Sequence, residues 1–178
     1  MSHSSREVGE LGAAVLTIST SRARGDAQDS GGPALTRFAE SLGITVVGTE
    51  VIPDERELIE GRLRWWCEEG GCELVLTTGG TGFAPDDVTP EATRAVIDRE
   101  APGLAEAMRA ASREHTHLWM VSRGVAGTRG RTLIVNFPGN PPAIEQAGAA
   151  IADAIPHALK LLVGDHDHGP IGGTSAQG

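Results

Sequence analysis

Apolar residues fall along the chain in two alternating rhythms. Short β-prone runs at Ala13 to Ser19, Ile44 to Ile52, Glu73 to Thr78, Leu118 to Ser122 and Thr132 to Phe137 predict strands. Between them the spacing turns helical. Ala34 to Leu42 predicts a helix with Pro33 at its first position. Glu55 to Glu69 carries Leu58, Ile59, Leu63, Trp66 and Cys67 on one side. Pro90 to Arg99 predicts a helix capped by Thr89, and Pro102 to Glu114 a further short one. The last helix starts after Asn140-Pro141, carries Ile144, Ala147, Ile151, Ile155 and Leu162, and is expected to kink at Pro156. Near-continuous apolar strands alternating with helices predict an α/β fold, with a mostly parallel central sheet covered on both faces. Ligands of such folds bind at the carboxyl ends of the strands, where the strand order reverses. Unusual residues collect at those ends: Ser19-Thr20, Pro53-Asp54, Thr78 to Gly82, Ser122-Arg123 and Phe137 to Asn140.

Composition narrows the function. A length of 178 residues predicts one domain, placed at 12–163, with 1–11 and 164–178 expected to be flexible termini. Tyrosine is absent, so the core must be aliphatic. A net charge of −9 argues against nucleic acid or an anionic membrane as the main partner, since both require a basic footprint. Lys160 is the only lysine and stands in Leu159-Lys160-Leu161, which excludes a P-loop. Cys67 and Cys72 form neither a disulfide framework nor a CxxC pair and read as reduced thiols. The polar N-terminus lacks an apolar signal segment, and no apolar run approaches the ~20 residues of a membrane span. The expectation is a soluble cytoplasmic protein.

The densest chemistry lies in Thr77-Thr78-Gly79-Gly80-Thr81-Gly82-Phe83-Ala84-Pro85-Asp86-Asp87-Val88-Thr89-Pro90. Glycines after a strand let backbone approach a ligand and aim N–H groups at an anion, and Thr78 and Thr81 add hydroxyls. A Rossmann fingerprint fails because Pro85 occupies the third glycine position. Two readings fit these residues about equally: a phosphate site with Mg²⁺ between phosphate and aspartates, or a tight turn whose aspartates complement the next helix dipole. Asp54 with Glu57 resembles a capping box, with Asp54 in the cap position, yet it shares a sheet edge with Asp87. The stretch from Ser19 to Gly32, with Asp29, Ser30 and Gly31, reads either as a plain loop or as an anion site at a helix N-terminus. Among the arginines of the Gly-rich stretch after Ser122, Arg123 is the better ligand contact, and Arg129 and Arg131 read as solvated. Asn140 before Pro141 reads as an N-cap that can also present backbone to a ligand. His115 and His117 have metal-compatible spacing on a predicted strand but no partner set, and His166 and His168 lie in the tail.

Together these segments resemble the molybdopterin adenylyltransferase family, comprising MogA, MoaB and the N-terminal domain of gephyrin. The signature is Thr77 to Thr93. Ile52-Pro53-Asp54-Glu55, Asp29-Ser30-Gly31, Ser122-Arg123 and Asn136-Phe137-Pro138-Gly139 follow in the family's order. The resemblance runs from about Ala13 to Leu162 and implies a three-layer α/β/α domain that assembles as a trimer or hexamer. It implies Mg²⁺-dependent transfer of an adenylyl group from ATP to molybdopterin, with release of pyrophosphate and delivery to a molybdenum-insertion protein. Asp54 and Asp87 become the critical, metal-holding aspartates. Gly79, Gly80, Thr81 and Gly82 cradle phosphates beside Thr78. Ser19, Asp29, Ser30, Gly31, Ser122, Arg123, Pro138, Gly139 and Asn140 line the pterin or nucleotide pocket.

Two positions depart from the family. Thr20 stands where relatives often have Asp or Asn, which is expected to remove a polar group near the site. Asp86 stands where relatives often have Arg, an anion in place of a cation. The latter is expected to weaken polyanion binding about tenfold or more, since ~1.4 kcal/mol is a factor of ten. The family also implies an alternative, a carrier of the MoaB type that holds molybdopterin or its precursor without adenylation. A scaffold reading of the gephyrin kind would require added domains, and a pterin-dependent oxidoreductase lacks its fingerprint.

Overall fold

A computed structural model describes residues 11–164. The expected flexible termini, and with them His166 and His168, fall outside those residues, except that Leu11 is buried in the core and Gly164 closes the last helix in a left-handed conformation. The first strand, β1 (Gly12–Ile18), is buried at every position. It runs from small residues at Gly12–Ala14 to larger, mostly branched aliphatic ones, and successive side chains go to opposite faces of the sheet. Ala13 and Val15 join one apolar cluster, while Ala14, Leu16 and Ile18 join the other. β3 (Leu74–Thr78) and β6 (Thr132–Phe137) divide the same way, so both faces of the sheet are apolar and both need a helical layer.

The strand order is β2-β1-β3-β6-β5-β4, with β2 (Thr45–Ile52), β4 (Arg99–Glu100) and β5 (Ala126–Arg129) completing the sheet. β2, β1, β3 and β6 run parallel, whereas β5 is antiparallel to both β6 and β4. The expected mostly parallel α/β/α arrangement is the one present. After the short helix α1 (Thr20–Ala23), α2 (Gly31–Ser41) lies on one face. α5 (Pro102–Ser112), α6 (Pro141–Ile151) and α7 (Ala154–Val163) share that face. α3 (Arg56–Glu68) and α4 (Thr89–Val96) cover the other with Ile59, Leu63, Trp66, Ala92 and Val96. The chain leaves β1 toward β2 on one side and returns to β3 on the other, so the strand order reverses between β1 and β3.

Several elements differ from expectation. The predicted strand at Leu118 to Ser122 is a 3-10 turn, His117–Val121, capped by Thr116, and it leaves Leu118, Met120 and Val121 exposed. β4 and β5 were not foreseen, because Gly127, Arg129 and Gly130 disguise the hairpin into β6. Gly127 leaves no room for a side chain: a Cβ there would lie 2.7 Å from the Arg99 carbonyl. Arg129 is half-buried and not simply solvated, whereas Arg131 is exposed as expected. Arg129 binds Glu68 and the Val96 carbonyl, and Arg131 donates to the Val163 carbonyl. α2 begins two residues before Pro33, and the Asp29 carboxylate caps it by accepting from Gly32 N at 3.0 Å. Thr89 is the first residue of α4 and not its cap, and that helix stops at Val96 because Arg99 and Glu100 pair with β5. The last helix breaks into α6 and α7 at Ala152-Asp153, and Pro156 sits in the first turn of α7, where its missing N–H costs nothing.

One buried amide ties the layers together. Asn136, 2% exposed, donates to Thr77 Oγ1 (3.0 Å) and Thr93 Oγ1 (2.9 Å) and accepts from Val125 N (3.1 Å). It thereby connects β6, β3, α4 and the segment entering β5. Asn136→Ala leaves these partners buried without it and is expected to cost about 3 kcal/mol in a urea melt. The free thiols make a second test. Burial pushes Cys67 up to about 11 and Cys72 up to about 12, so both stay protonated near neutrality. Iodoacetamide at pH 8 is expected to label them slowly in the folded protein and readily in urea. Their folded values lie above the ordinary 9.0, so stability is full below that pH and falls as pH rises through the folded values, because the unfolded thiols ionise first.

Candidate functional site

The reversal of strand order opens a gap at the carboxyl edge, where β1, β2, β3 and β6 deliver their next residues. Ser19 caps α1, accepting from Arg22 N. Asp54 follows β2 and is turned away from α3, whose N-cap is Glu55, so the capping-box expectation fails. Its Oδ2 accepts from Thr20 N at 2.7 Å and Thr20 Oγ1 at 2.9 Å, and Thr20 Oγ1 accepts in turn from Asp54 N at 3.0 Å. This reciprocal link also corrects the expectation for Thr20, which supplies a hydroxyl to the site. Asp54 Oδ1 stays on the Gly80 side, 3.5 Å from where a Gly80 Cβ would be.

The glycine run after β3 turns sharply. Gly79 and Gly80 have φ of 99° and 64°, a region that L side chains rarely adopt. A Cβ on Gly79 would meet the Ile18 carbonyl at 2.2 Å, and one on Gly80 would meet Thr89 Oγ1 at 2.3 Å. Thr89 Oγ1 is fully buried and has no hydrogen-bond partner among the described residues. Thr78 is also buried and donates to the Pro138 carbonyl at 2.7 Å, tying the β3 turn to the Pro138–Asn140 turn after β6. Asn140 caps α6 as expected, its Oδ1 accepting from Ala143 N at 2.9 Å. Asp87 closes a tight ring: its Oδ2 accepts from Ala84 N at 2.8 Å, and its own N–H donates to the Ala84 carbonyl.

Two hollows flank these turns. The first, about 590 Å³, is lined by Ser19, Thr20, Arg22, Arg24, Asp54, Gly79, Gly80, Asp86, Asp87 and Gly139. It brings together both aspartates singled out in the sequence. The second, about 420 Å³, is mainly apolar and lies against Thr81, Gly82, Ser122, Pro138 and Asn140, with Met108, Trp119, His115 and Arg109 around it. Residues of the same two turns thus face opposite ways. Gly79, Gly80 and Gly139 look into the acidic hollow, and Thr81, Gly82, Pro138 and Asn140 into the apolar one.

Other predicted residues stand elsewhere. Asp29 accepts from Thr17 Oγ1 at 2.9 Å and lines a separate hollow beside β2, with Gly32 and Arg37. Ser30 is the N-cap of α2, and Gly31 packs so tightly on Thr78 that a Cβ would lie 2.9 Å from its methyl. Arg123 borders neither hollow of the site. It lies in a third, with Arg94, Glu100 and Arg109, and pairs with Glu91. Burial works to raise the Glu91 carboxyl, but the Arg123 guanidinium prevails and holds it below the usual carboxylate range. Arg22 and Arg24 were missed. The available signal was a pair of arginines immediately after the first strand, before the positive-φ Gly25. Neither pairs with a carboxylate among the described residues, and both line a hollow that also holds Asp26, Asp54, Asp86 and Asp87.

Comparison with known proteins identifies the family. The family described as a probable molybdopterin binding domain matches residues 14–157. The molybdopterin adenylyltransferase of Helicobacter pylori (strain J99) is 38% identical over 154 residues, covering 85% of this chain and 88% of that protein. The molybdenum cofactor synthesis protein cinnamon of Drosophila melanogaster is 40% identical over 85% of this chain, which spans only 25% of that longer protein. The crystal structure of the molybdopterin biosynthesis enzyme MoaB from Thermus thermophilus superposes with a TM-score of 0.82 at 44% identity, covering 86% of this chain and 97% of that one. The match over residues 14–157, and the 38% identity to a relative of which this chain covers 88%, show that the chain belongs to the molybdopterin-binding domain family of molybdenum cofactor biosynthesis.

Proposed function

We propose that the protein is a molybdopterin adenylyltransferase, joining the terminal phosphate of molybdopterin to the α-phosphorus of ATP. The observation that carries this reading is the pairing of an acidic, glycine-floored hollow with an adjoining apolar one. Such a pair suits a substrate with a polyphosphate at one end and a planar ring at the other. The attacking phosphate oxygen is already ionised at neutral pH, so no general base is required. A P–O bond forms at the α-phosphorus, the bond to the β-phosphate breaks, and the electron pair leaves with pyrophosphate.

The obstacle is anion meeting anion, and these residues address it by position and charge. Gly79 and Gly80 bring peptide groups to the floor without side chains in the way. Arg22 and Arg24 face the hollow with no carboxylate partner among the described residues, although the Arg22 Nε donates to the Gln28 carbonyl. Ser122, Pro138 and Asn140 border the ring pocket with Trp119. A divalent cation suits this donor set. Asp54 Oδ1 and Asp87 Oδ1 accept no protein hydrogen bond among the described residues, and the orphaned Thr89 hydroxyl lies with Asp54 Oδ1 against Gly80. Among the described residues no group of three or more His, Cys, Asp or Glu forms a closed metal cage, so substrate phosphate and water would complete the coordination. Mg²⁺ held by Asp54 and Asp87 would offset phosphate charge. Among the described residues no helix is long and apolar enough to cross a membrane. Assembly as a trimer or hexamer and hand-over to a molybdenum-insertion protein belong to the same proposal.

Single-turnover reaction of the protein with molybdopterin, Mg²⁺ and α-labelled ATP is expected to give labelled adenylyl-molybdopterin and pyrophosphate. Asp87→Asn is expected to reduce the rate by about a hundredfold or more, the scale at which loss of one charge-stabilising group registers. Tight pterin binding without product in the wild type would overturn the enzyme reading in favour of a carrier. For the arginines, the Arg22→Gln, Arg24→Gln double variant is expected to raise the ATP concentration for half-maximal rate about tenfold, with a weaker salt dependence than wild type. An unchanged value would remove both residues from the phosphate site.

A further inference from the structure

Arg123 follows the 3-10 turn and points back toward the loop between β3 and α4. Its backbone N–H donates to the Thr81 carbonyl at 2.9 Å. Its Nε donates to the Gly82 carbonyl at 2.7 Å and its Nη2 to the Asp87 carbonyl at 2.7 Å. Nη1 is paired with Glu91 on α4, and the guanidinium carbon stands 5.6 Å from the centre of the exposed Phe83 ring. The fork is therefore spent on both ends of one loop and on the helix that follows it. That loop has no regular secondary structure from Gly82 to Asp86, and its own ring closure runs only from Ala84 to Asp87. Removing the clamp frees the two peptide groups that fix where the Asp87 carboxylate lies.

Accepting the adenylylation reading, we infer that Arg123 is a positioning residue: it clamps the Gly82 and Asp87 carbonyls so that Asp87 is presented to the acidic hollow, and it does not touch substrate. Glu91 completes the device by orienting the fork and neutralising it, so that the guanidinium is not drawn toward a bound polyanion. The arrangement demands arginine. Three acceptors lie in different directions around one plane, which a guanidinium meets with separate donors and a compact ammonium does not. Arg123→Lys therefore keeps the charge and loses the bracket.

The deciding measurement is amide hydrogen exchange on the ligand-free protein, beside steady-state adenylylation. In Arg123→Gln the amides of residues 82–87 are expected to exchange at least about tenfold faster, a loss of roughly 1.4 kcal/mol of local protection, with the central strands unchanged. Arg123→Lys and Glu91→Gln are expected to shift the same amides in the same direction by less. In the rate assay the Mg²⁺ concentration for half-maximal activity rises and kcat falls, while the pterin KM stays within about twofold. Unaltered loop exchange in all three variants would overturn the inference. So would Glu91→Gln behaving like wild type while Arg123→Gln and Arg123→Lys raise the pterin or ATP KM, the pattern of a direct substrate contact. If Arg123→Gln fails to fold, the other two variants decide. If the wild type shows no adenylylation, that reading fails by itself, and the exchange result still establishes or removes the clamp.

Discussion

A parallel sheet whose chain departs to both sides of one strand must leave a place where no connection crosses. Here the strand is β1, with β2 on one side and β3 on the other. Helices α2 and α3 leave for opposite faces, so neither covers the carboxyl ends of β1 and β3. Backbone groups at those ends are not consumed by a next turn of helix. Each must instead be satisfied by a side chain, a neighbouring loop or a ligand. The glycine turn, the two aspartates and the Thr20 hydroxyl all occupy this gap.

Short polar links then hold the gap in shape. Thr20 and Asp54 bond reciprocally between the ends of β1 and β2, which fixes one carboxylate to two strands at once. Thr78 holds the turn after β6 against the turn after β3. Asn136 performs the comparable task one layer deeper, where an unpaired amide would be costly. The site is thus rigid through hydrogen bonds between neighbouring strand ends, and its floor moves only if the sheet register moves. The loop carrying Asp87 lies outside this scheme, since it extends beyond the last strand residue, and that is where the guanidinium clamp acts.

Much of this was legible in the sequence because it depends on local chemistry. Apolar runs of the right length gave the parallel strands, and Thr77 to Pro90 announced both the glycine turn and Asp87. Asn140 read correctly as a cap because capping needs only the next few residues. What failed depends on distant partners. Asp54 looked like a cap until the end of β1 arrived beside it with Thr20. Asp29 looked like a ligand contact, yet Thr17 and Gly32 claim its carboxylate. Arg123 read as a ligand contact because an arginine at a strand end is cationic; only the fold shows its donors already used. The stretch at His117–Val121 has strand-like composition, but with no neighbouring strand to pair with it winds into a 3-10 turn and leaves its apolar side chains exposed.

The glycines of the two turns put main chain between the two hollows. A Cβ on Gly139 would stand 3.7 Å from the Gly79 Cα, so main chain packs on main chain at ordinary contact distance between the acidic and apolar sides. A molecule that fills both compartments therefore crosses a saddle of peptide groups, which point mutation can obstruct but cannot re-functionalise. Side-chain chemistry is concentrated at the two ends, with Asp86 and Arg22 on one side and Trp119 and His115 on the other. For the medicinal chemist the same saddle sets the design: a bridging inhibitor wants a thin, hydrogen-bonding linker, with its selectivity carried by the head groups.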